Sequence, residues 1–193
     1  MTFVINGPRF TNGGTIVGNV TLGDGRTVFD NTHGVVTGKI RAGGGNDVFI
    51  VGERGETVFG EDGNDKLVGG LGNDRLNGGA GKDVLSGGAG NDIFIFDAAP
   101  LPASFDVVQD FDTAADSLQF RKAVFTSVAR KGSLAADALH FGTKAADAED
   151  RFIYNKATGN LAYDPDGTGA MAQVKIAVFA NKAQLTLSDF IIV

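Results

Sequence analysis

The chain contains no cysteine and no tryptophan, and only two histidines in 193 residues. Without thiols there is no disulfide to brace a fold and no thiolate to hold a metal, so any bound ion must sit among oxygens. His33 and His140 are far apart in sequence, so no HExxH zinc helix exists, and neither a GxSxG elbow nor a phosphate-binding or dinucleotide fingerprint is present. No apolar run approaches the roughly 20 residues of a membrane span. The opening MTFVINGPRF lacks the basic stretch and apolar core of a signal peptide, so export is expected to proceed without one. Positive charge is also scarce: 17 Lys and Arg against 23 Asp and Glu give a net charge of −6, which argues against a nucleic-acid partner.

Glycine is what the chain has in excess. The 29 glycines are about twice the ordinary share of roughly 7%. They cluster between Gly7 and Gly90 and are accompanied by only four prolines, a pattern of repeated tight turns rather than of a linker. Written in a ninefold frame from Ala42, the segment reads AGGGNDVFI, VGERGETVF, GEDGNDKLV, GGLGNDRLN, GGAGKDVLS and GGAGNDIFI, six units without a gap to Ile95. Position six is Asp47, Glu56, Asp65, Asp74, Asp83 and Asp92, and position eight is Phe49, Val58, Leu67, Leu76, Leu85 and Phe94. Upstream, GNVTLGDGRTVFD from Gly18 aligns with GKIRAGGGNDVFI from Gly38. The roll is therefore expected to begin near Thr15, with Thr27 standing where the second copy has Asp47.

Each nonapeptide is a glycine turn followed by a short strand with one inward apolar residue, half of a coil. Two halves return the chain to the same side. The fold class is thus mainly β, a parallel β-roll in which Phe49, Leu67 and Leu85 stack in one sheet and Val58, Leu76 and Phe94 in the other. The same return stacks Asp47, Asp65 and Asp83 on one edge and Glu56, Asp74 and Asp92 on the other. At a strand spacing of roughly 4.8 Å, like charges repel by about 1 kcal/mol in water and several-fold more at a protein edge. A cation between successive loops reverses that sign. Carboxylates and turn carbonyls on a flexible backbone are hard oxygen donors that suit calcium better than zinc or magnesium. A metal-free solenoid with Gly and Asp at its corners has no need for aspartate at one turn position five times.

These units match GGxGxDxUx and closely resemble the RTX (repeats-in-toxin) family of secreted bacterial proteins. The resemblance implies calcium between loops 18 residues apart, held by carbonyls of loop positions one to four and by the position-six carboxylate. Carried onto this chain, the well-matched loops are Gly69, Gly70, Leu71, Gly72 with Asp74; Gly78, Gly79, Ala80, Gly81 with Asp83; and Gly87, Gly88, Ala89, Gly90 with Asp92. The loops of Gly43, Gly45 and Asp47 and of Gly60, Asp62, Gly63 and Asp65 are slightly degraded, and Arg54 and Glu56 put the second unit in doubt. About three to four calcium ions are expected, pairing loops 42/60, 60/78 and 69/87, with 51/69 as the fourth.

Beyond Phe96 glycine thins out and DAAPLPAS reads as a linker, giving three stretches: an N-terminal cap with degenerate coils (1–41), the calcium-binding roll (42–96) and a C-terminal cap (97–193). Strands are expected over 105–111, 151–154, 161–163, 174–179 and 190–193, with a turn at Thr158 and Gly159. One short helix is expected on the face of Phe120, Val124 and Val128, and a second capped by Ser133. The sequence NDIFIF followed by DVVQDF and ending in LTLSDFIIV resembles the C-terminal region of serralysin-like proteins and other type I secretion substrates. That resemblance implies a secreted or cell-surface protein exported unfolded by an ABC transporter complex, with Asp189 and the apolar tail as part of the signal; a buried closing strand is an equal and compatible reading. An extracellular polysaccharide or cell surface is the alternative partner. Asp164, Asp166 and Gly167 lack the glutamate that would complete an EF-hand and read as a turn. Self-cleavage at Asp164-Pro165 is the one enzymatic reading, and nothing beyond the dipeptide supports it.

Overall fold

In a computed structural model, which describes all 193 residues, the chain winds into a solenoid of two facing sheets. One sheet runs in spatial order through Thr2–Ile5, Asn19–Leu22, Lys39–Arg41, Thr57–Phe59, Arg75–Asn77, Ile93–Phe96, Ser117–Phe120, Phe190–Ile192 and Gly132–Ser133. The other runs through Arg9–Thr11, Val28–Asp30, Val48–Ile50, Lys66–Gly70, Val84–Gly88, Asp106–Val108 and Val174–Phe179, and is extended by Asn160–Tyr163, Phe152–Asn155 and Leu139–Phe141. Neighbours along the solenoid pair in parallel, as coils wound in one direction must.

The register is the ninefold one. Leu67 lies between Phe49 and Leu85, and Leu76 between Val58 and Phe94. All six of these side chains are buried in one continuous apolar cluster shared by the two sheets. The 20-residue offset upstream also holds, with Val20 beside Ile40 and Phe29 beside Phe49. Glycine permits the close stacking: at Gly63 and Gly81, with φ of 141° and 144°, an added Cβ would strike the carbonyl oxygens of Gly45 and Gly63 in the coil below.

Three expectations differ from the fold. The solenoid begins at Thr2–Ile5, which pairs with Asn19–Leu22, rather than near Thr15. The turn residues of that coil are not glycine-rich, so the repeat was not visible there. The helix expected over Phe120, Val124 and Val128 is absent: residues 121–128 form consecutive turns closed by N–H bonds from Val124 and Phe125 to the Arg121 carbonyl. The four-residue recurrence arises because Phe125 and Val128 insert into the aromatic cap around Phe120, Phe152 and Phe190. Ser133 caps no helix but lies in Gly132–Ser133, antiparallel to Phe190–Ile192; the helical content is two three-residue 3-10 turns, Ala136–Ala138 and Leu187–Asp189.

The composition change after Phe96 marks where the repeats end, not where the sheets end. Ser117–Phe120 pairs with Ile93–Phe96 and Asp106–Val108 with Val84–Gly88. Val174–Phe179 and Phe190–Ile192 add one further coil after the excursion through residues 121–173.

Truncating a stacked core residue leaves a cavity that rigid neighbouring coils cannot close. Leu76→Ala should therefore cost about 2–5 kcal/mol in calcium-containing denaturant titrations. Leu71→Ser, at a side chain 66% exposed, should change stability by no more than about 0.5 kcal/mol.

Candidate metal centre

The position-six carboxylates form two ladders, Asp47, Asp65 and Asp83 on one edge and Glu56, Asp74 and Asp92 on the other, and each residue is at most 3% exposed. No Lys or Arg neutralises them: the ion pairs of the chain are Arg9 with Asp30, Arg41 with Glu61 and His140 with Asp150. One oxygen of each aspartate is committed to the fold. Asp65 Oδ1 accepts the Asp47 N–H at 2.7 Å, Asp83 Oδ1 that of Asp65 at 2.7 Å, and Asp74 and Asp92 do the same for Glu56 and Asp74 at 2.7 and 2.8 Å. Asp47 Oδ1 accepts the Thr27 N–H, and Glu56 Oε1 the Asn31 amide. The other oxygen of all six, Oδ2 or Oε2, is buried without a hydrogen-bond partner. Six buried anionic oxygens without partners are too costly to leave uncompensated in a folded chain.

Burial lifts every one of these acids above its ordinary value. Glu56 is raised to about 7 by desolvation and then by the Asp74 charge. Asp65 is raised to about 7, first by desolvation, with Asp83 and Asp47 adding to it against the lowering effect of its backbone hydrogen bond. Asp74 reaches about 6 by the same causes, and Asp47, Asp83 and Asp92 are also raised, chiefly by burial.

The leftover oxygens point at the first glycine of their own loops. An added Cβ at Gly60 would collide with both Asp65 Oδ2 and the Gly78 carbonyl oxygen, and at Gly69 with Asp74 Oδ2 and the Gly87 carbonyl oxygen. Carboxylate and carbonyl from loops 18 residues apart thus converge at Gly60 and Gly69, a hard-oxygen cradle fitted to calcium. At Gly78 and Gly87 only the carboxylates of Asp83 and Asp92 crowd the same place. Ala42 and Val51 occupy the first position of their loops and put a side chain where Gly60 and Gly69 leave space. The donors fit pairs 60/78 and 69/87 better than 42/60 and 51/69. The carbonyls of Gly43, Asp62, Gly70 and Ala80 each accept an inter-turn N–H, which leaves each one lone pair. The side chains of Asp62, Leu71, Ala80 and Ala89 face solvent, so these residues bring only backbone to the turns. No three Asp, Glu or His side chains converge anywhere, so a cation here draws mainly on carbonyls.

Two ladder members escaped the ninefold frame. Asp106 Oδ1 accepts the Asp83 N–H at 3.2 Å and Asp116 Oδ1 that of Asp92 at 2.9 Å, the same bond made within the repeats but at sequence separations of 23 and 24 instead of 18. Each begins an Asp-x-apolar triplet, Asp106-Val107-Val108 and Asp116-Ser117-Leu118, which is the surviving signal. At the other end Thr27, in the aspartate position, turns its hydroxyl to the Gly7 and Gly25 carbonyls and closes the ladder without charge. The Asp164 segment is a turn in which Asp164 Oδ1 accepts the Asp166 N–H and Asp166 Oδ2 that of Met171.

Residues 57–94 match the RTX calcium-binding nonapeptide repeat in four copies. Among solved structures the chain is similar to the solution structure of the AlgE6R3 subunit from the Azotobacter vinelandii mannuronan C5-epimerase, with 26% identity over 76% of this chain and 77% of that one and a TM-score of 0.51. It also aligns with the crystal structure of the extracellular lipase LipA from Serratia marcescens, at 13% identity over 97% of this chain and 40% of that one, with a TM-score of 0.36. Only the former bears on the fold. No curated protein matches the chain. The central coils are therefore an RTX-type calcium-binding β-roll.

Because these acids are raised on folding, the metal-free fold is favoured by their protonation. That contribution is present below their unfolded values near 4 and is lost as pH rises through the folded values, about 7 for Glu56 and Asp65. Thermal unfolding in chelator should show higher stability at pH 5 than at pH 8, while the stabilisation added by calcium should be large at pH 8 and small at pH 5. A metal-free protein more stable at pH 8 would contradict this assignment.

Proposed function

We propose that the chain is a calcium-dependent folding module of a secreted protein, exported unfolded through a type I system and folded outside the cell around ions bound between its turns. The observation that carries this reading is the ladder of buried carboxylates, each with one oxygen unpartnered. Calcium, when bound, supplies the positive charge that the interior of the ladder lacks. Cytosolic calcium is too dilute to fill sites of the extracellular class, with Kd of roughly 10⁻⁴–10⁻³ M, so the ladders stay repulsive before export. Outside, binding to the folded state alone draws the equilibrium toward it.

The division of labour follows the three stretches of sequence. Residues 42–96 hold the ions, 1–41 supply metal-free starting coils and 97–193 close the solenoid and carry the export signal. The last strand, Phe190–Ile192, is sandwiched between Ser117–Phe120 and Gly132–Ser133, and Asp189 accepts the Thr186 N–H in the turn before it. A signal built from those residues is readable by a transporter complex only before folding, which agrees with export of the unfolded chain. The role of the repeats is structural rather than catalytic.

One feature favours a second reading, a module that holds an anionic extracellular polysaccharide. A groove of about 650 Å³ on the outer face is lined by Arg75, Arg121, Lys122 and Lys131, with Phe59 and Gln119 between them and Asp97 as the one acid. Such a concentration of positive charge on a chain of net charge −6 fits a polyuronate, the class of polymer named in the mannuronan epimerase.

Circular dichroism of metal-stripped protein at pH 7.5 should show little β structure and gain it on adding millimolar calcium; an unchanged spectrum in excess chelator removes the folding switch. For the second reading, retention on a polyuronate matrix in calcium buffer should weaken with salt and with Arg121→Glu/Lys131→Glu, and equal retention on a neutral glucan would dispose of it.

A further inference from the structure

The ladder bonds extend past the repeats on both edges, yet the two continuations end differently. On one edge both oxygens of Asp116 are occupied, Oδ1 by the Asp92 N–H at 2.9 Å and Oδ2 by the Asp112 N–H at 2.8 Å. Asp110 takes up the remaining donors there, accepting the N–H groups of Gly87 and Gly88 and the Ser86 hydroxyl. That gap is closed by hydrogen bonds alone.

The other edge is open. Residues 101–106 reproduce the six-residue turn ahead of Asp106, but the paired backbone bonds that zip turn to turn in the repeats, such as Gly63 N–H to Ala80 O and Ala80 N–H to Glu61 O, have no counterpart between turns 78–83 and 101–106. The Ser104 hydroxyl, donating to Gly81 O at 2.7 Å, and the Asp83 N–H on Asp106 Oδ1 hold the two turns together. Between them lies a cavity of about 30 Å³ lined by Gly79, Gly81, Asp97, Ser104 and Asp106 among others. Such a volume suits a single water or a single ion with its nearest oxygens. Asp83 is fully buried with Oδ2 unpartnered, and Asp106 is 7% exposed with no hydrogen bond to its Oδ2. Each carboxylate faces the other's charge, and no basic side chain pairs with either.

We propose that a further divalent cation site, outside the recognisable repeats, lies between turns 78–83 and 101–106 with Asp83 and Asp106 as its carboxylate ligands, and that the equivalent gap at Asp116 binds none. The inference rests on the reading of the repeats as calcium sites and adds a position that the nonapeptide pattern does not mark. Asp106 is then the last ligand of its ladder, and Asp116 is a metal-free terminator matching Thr27 at the opposite end.

Native mass spectrometry of the full chain in calcium buffer should count one ion fewer in Asp106→Asn than in the natural sequence, and the same number in Asp116→Asn even though that variant loses stability. A full complement of ions in Asp106→Asn overturns the proposal. Should that variant fail to fold, crystals of the natural sequence grown in calcium give the same answer by anomalous scattering. A peak between Asp83 and Asp106 with none between Asp92 and Asp116 supports the site, and peaks within the repeats but none at Asp106 refute it. No calcium at any turn would instead defeat the wider reading of the repeats.

Discussion

The fold turns on one arrangement repeated along both edges of the solenoid: a carboxylate that spends one oxygen on the backbone N–H of the preceding coil and leaves the other inside without a partner. The first bond sets coil upon coil. It forms at 2.7 to 2.8 Å throughout the repeats and places like charges one strand spacing apart in a region that water hardly reaches. Bringing the coils together and bringing the charges together are the same act. Without compensation the second undoes much of what the first achieves, which ties the fold to protons or to divalent cations.

The glycines follow from that arrangement. Gly60 and Gly69 are bare where carboxylate and carbonyl converge, and Gly63 and Gly81 are bare where one turn lies directly on the carbonyl of the next. Where the chain departs from glycine it compensates locally. Glu61 holds a left-handed φ of 69° at a position that is glycine in most other turns, and its side chain is tied to Arg41, which itself lies over the Phe59 ring at 4.6 Å. At the ends of the ladders the chain replaces charge with neutral or self-satisfied groups, a hydroxyl at Thr27 and a doubly hydrogen-bonded carboxylate at Asp116.

The central coils were legible because their signal is a strict period. Two uniform columns, acidic at position six and apolar at position eight, define register, core and ligand ladder together, and the pairings of Leu67 and Leu76 reproduce them residue for residue. Legibility failed where the period was broken but the physics was not. Insertions before Leu101 and at Asp110 moved Asp106 and Asp116 out of frame while the Asp-x-apolar triplet kept its place in the sheets. The first coil, from Thr2, has the strands without the glycine. At Phe120, Val124 and Val128 a helical spacing was produced by aromatic packing across irregular turns, since three apolar residues four apart satisfy either geometry. The outer-face groove drew Arg75, Arg121 and Lys131 from separate coils, and no local motif could announce it.

Calorimetric titration of the metal-stripped chain with calcium at pH 7.5 tests the central claim most directly. Multi-site uptake accompanied by release of any protons still held by Glu56 and Asp65, and by a gain of sheet structure, is the predicted result. A flat titration at millimolar calcium from a chain that is already folded would show that the ladders tolerate their own charge, and the account would fail.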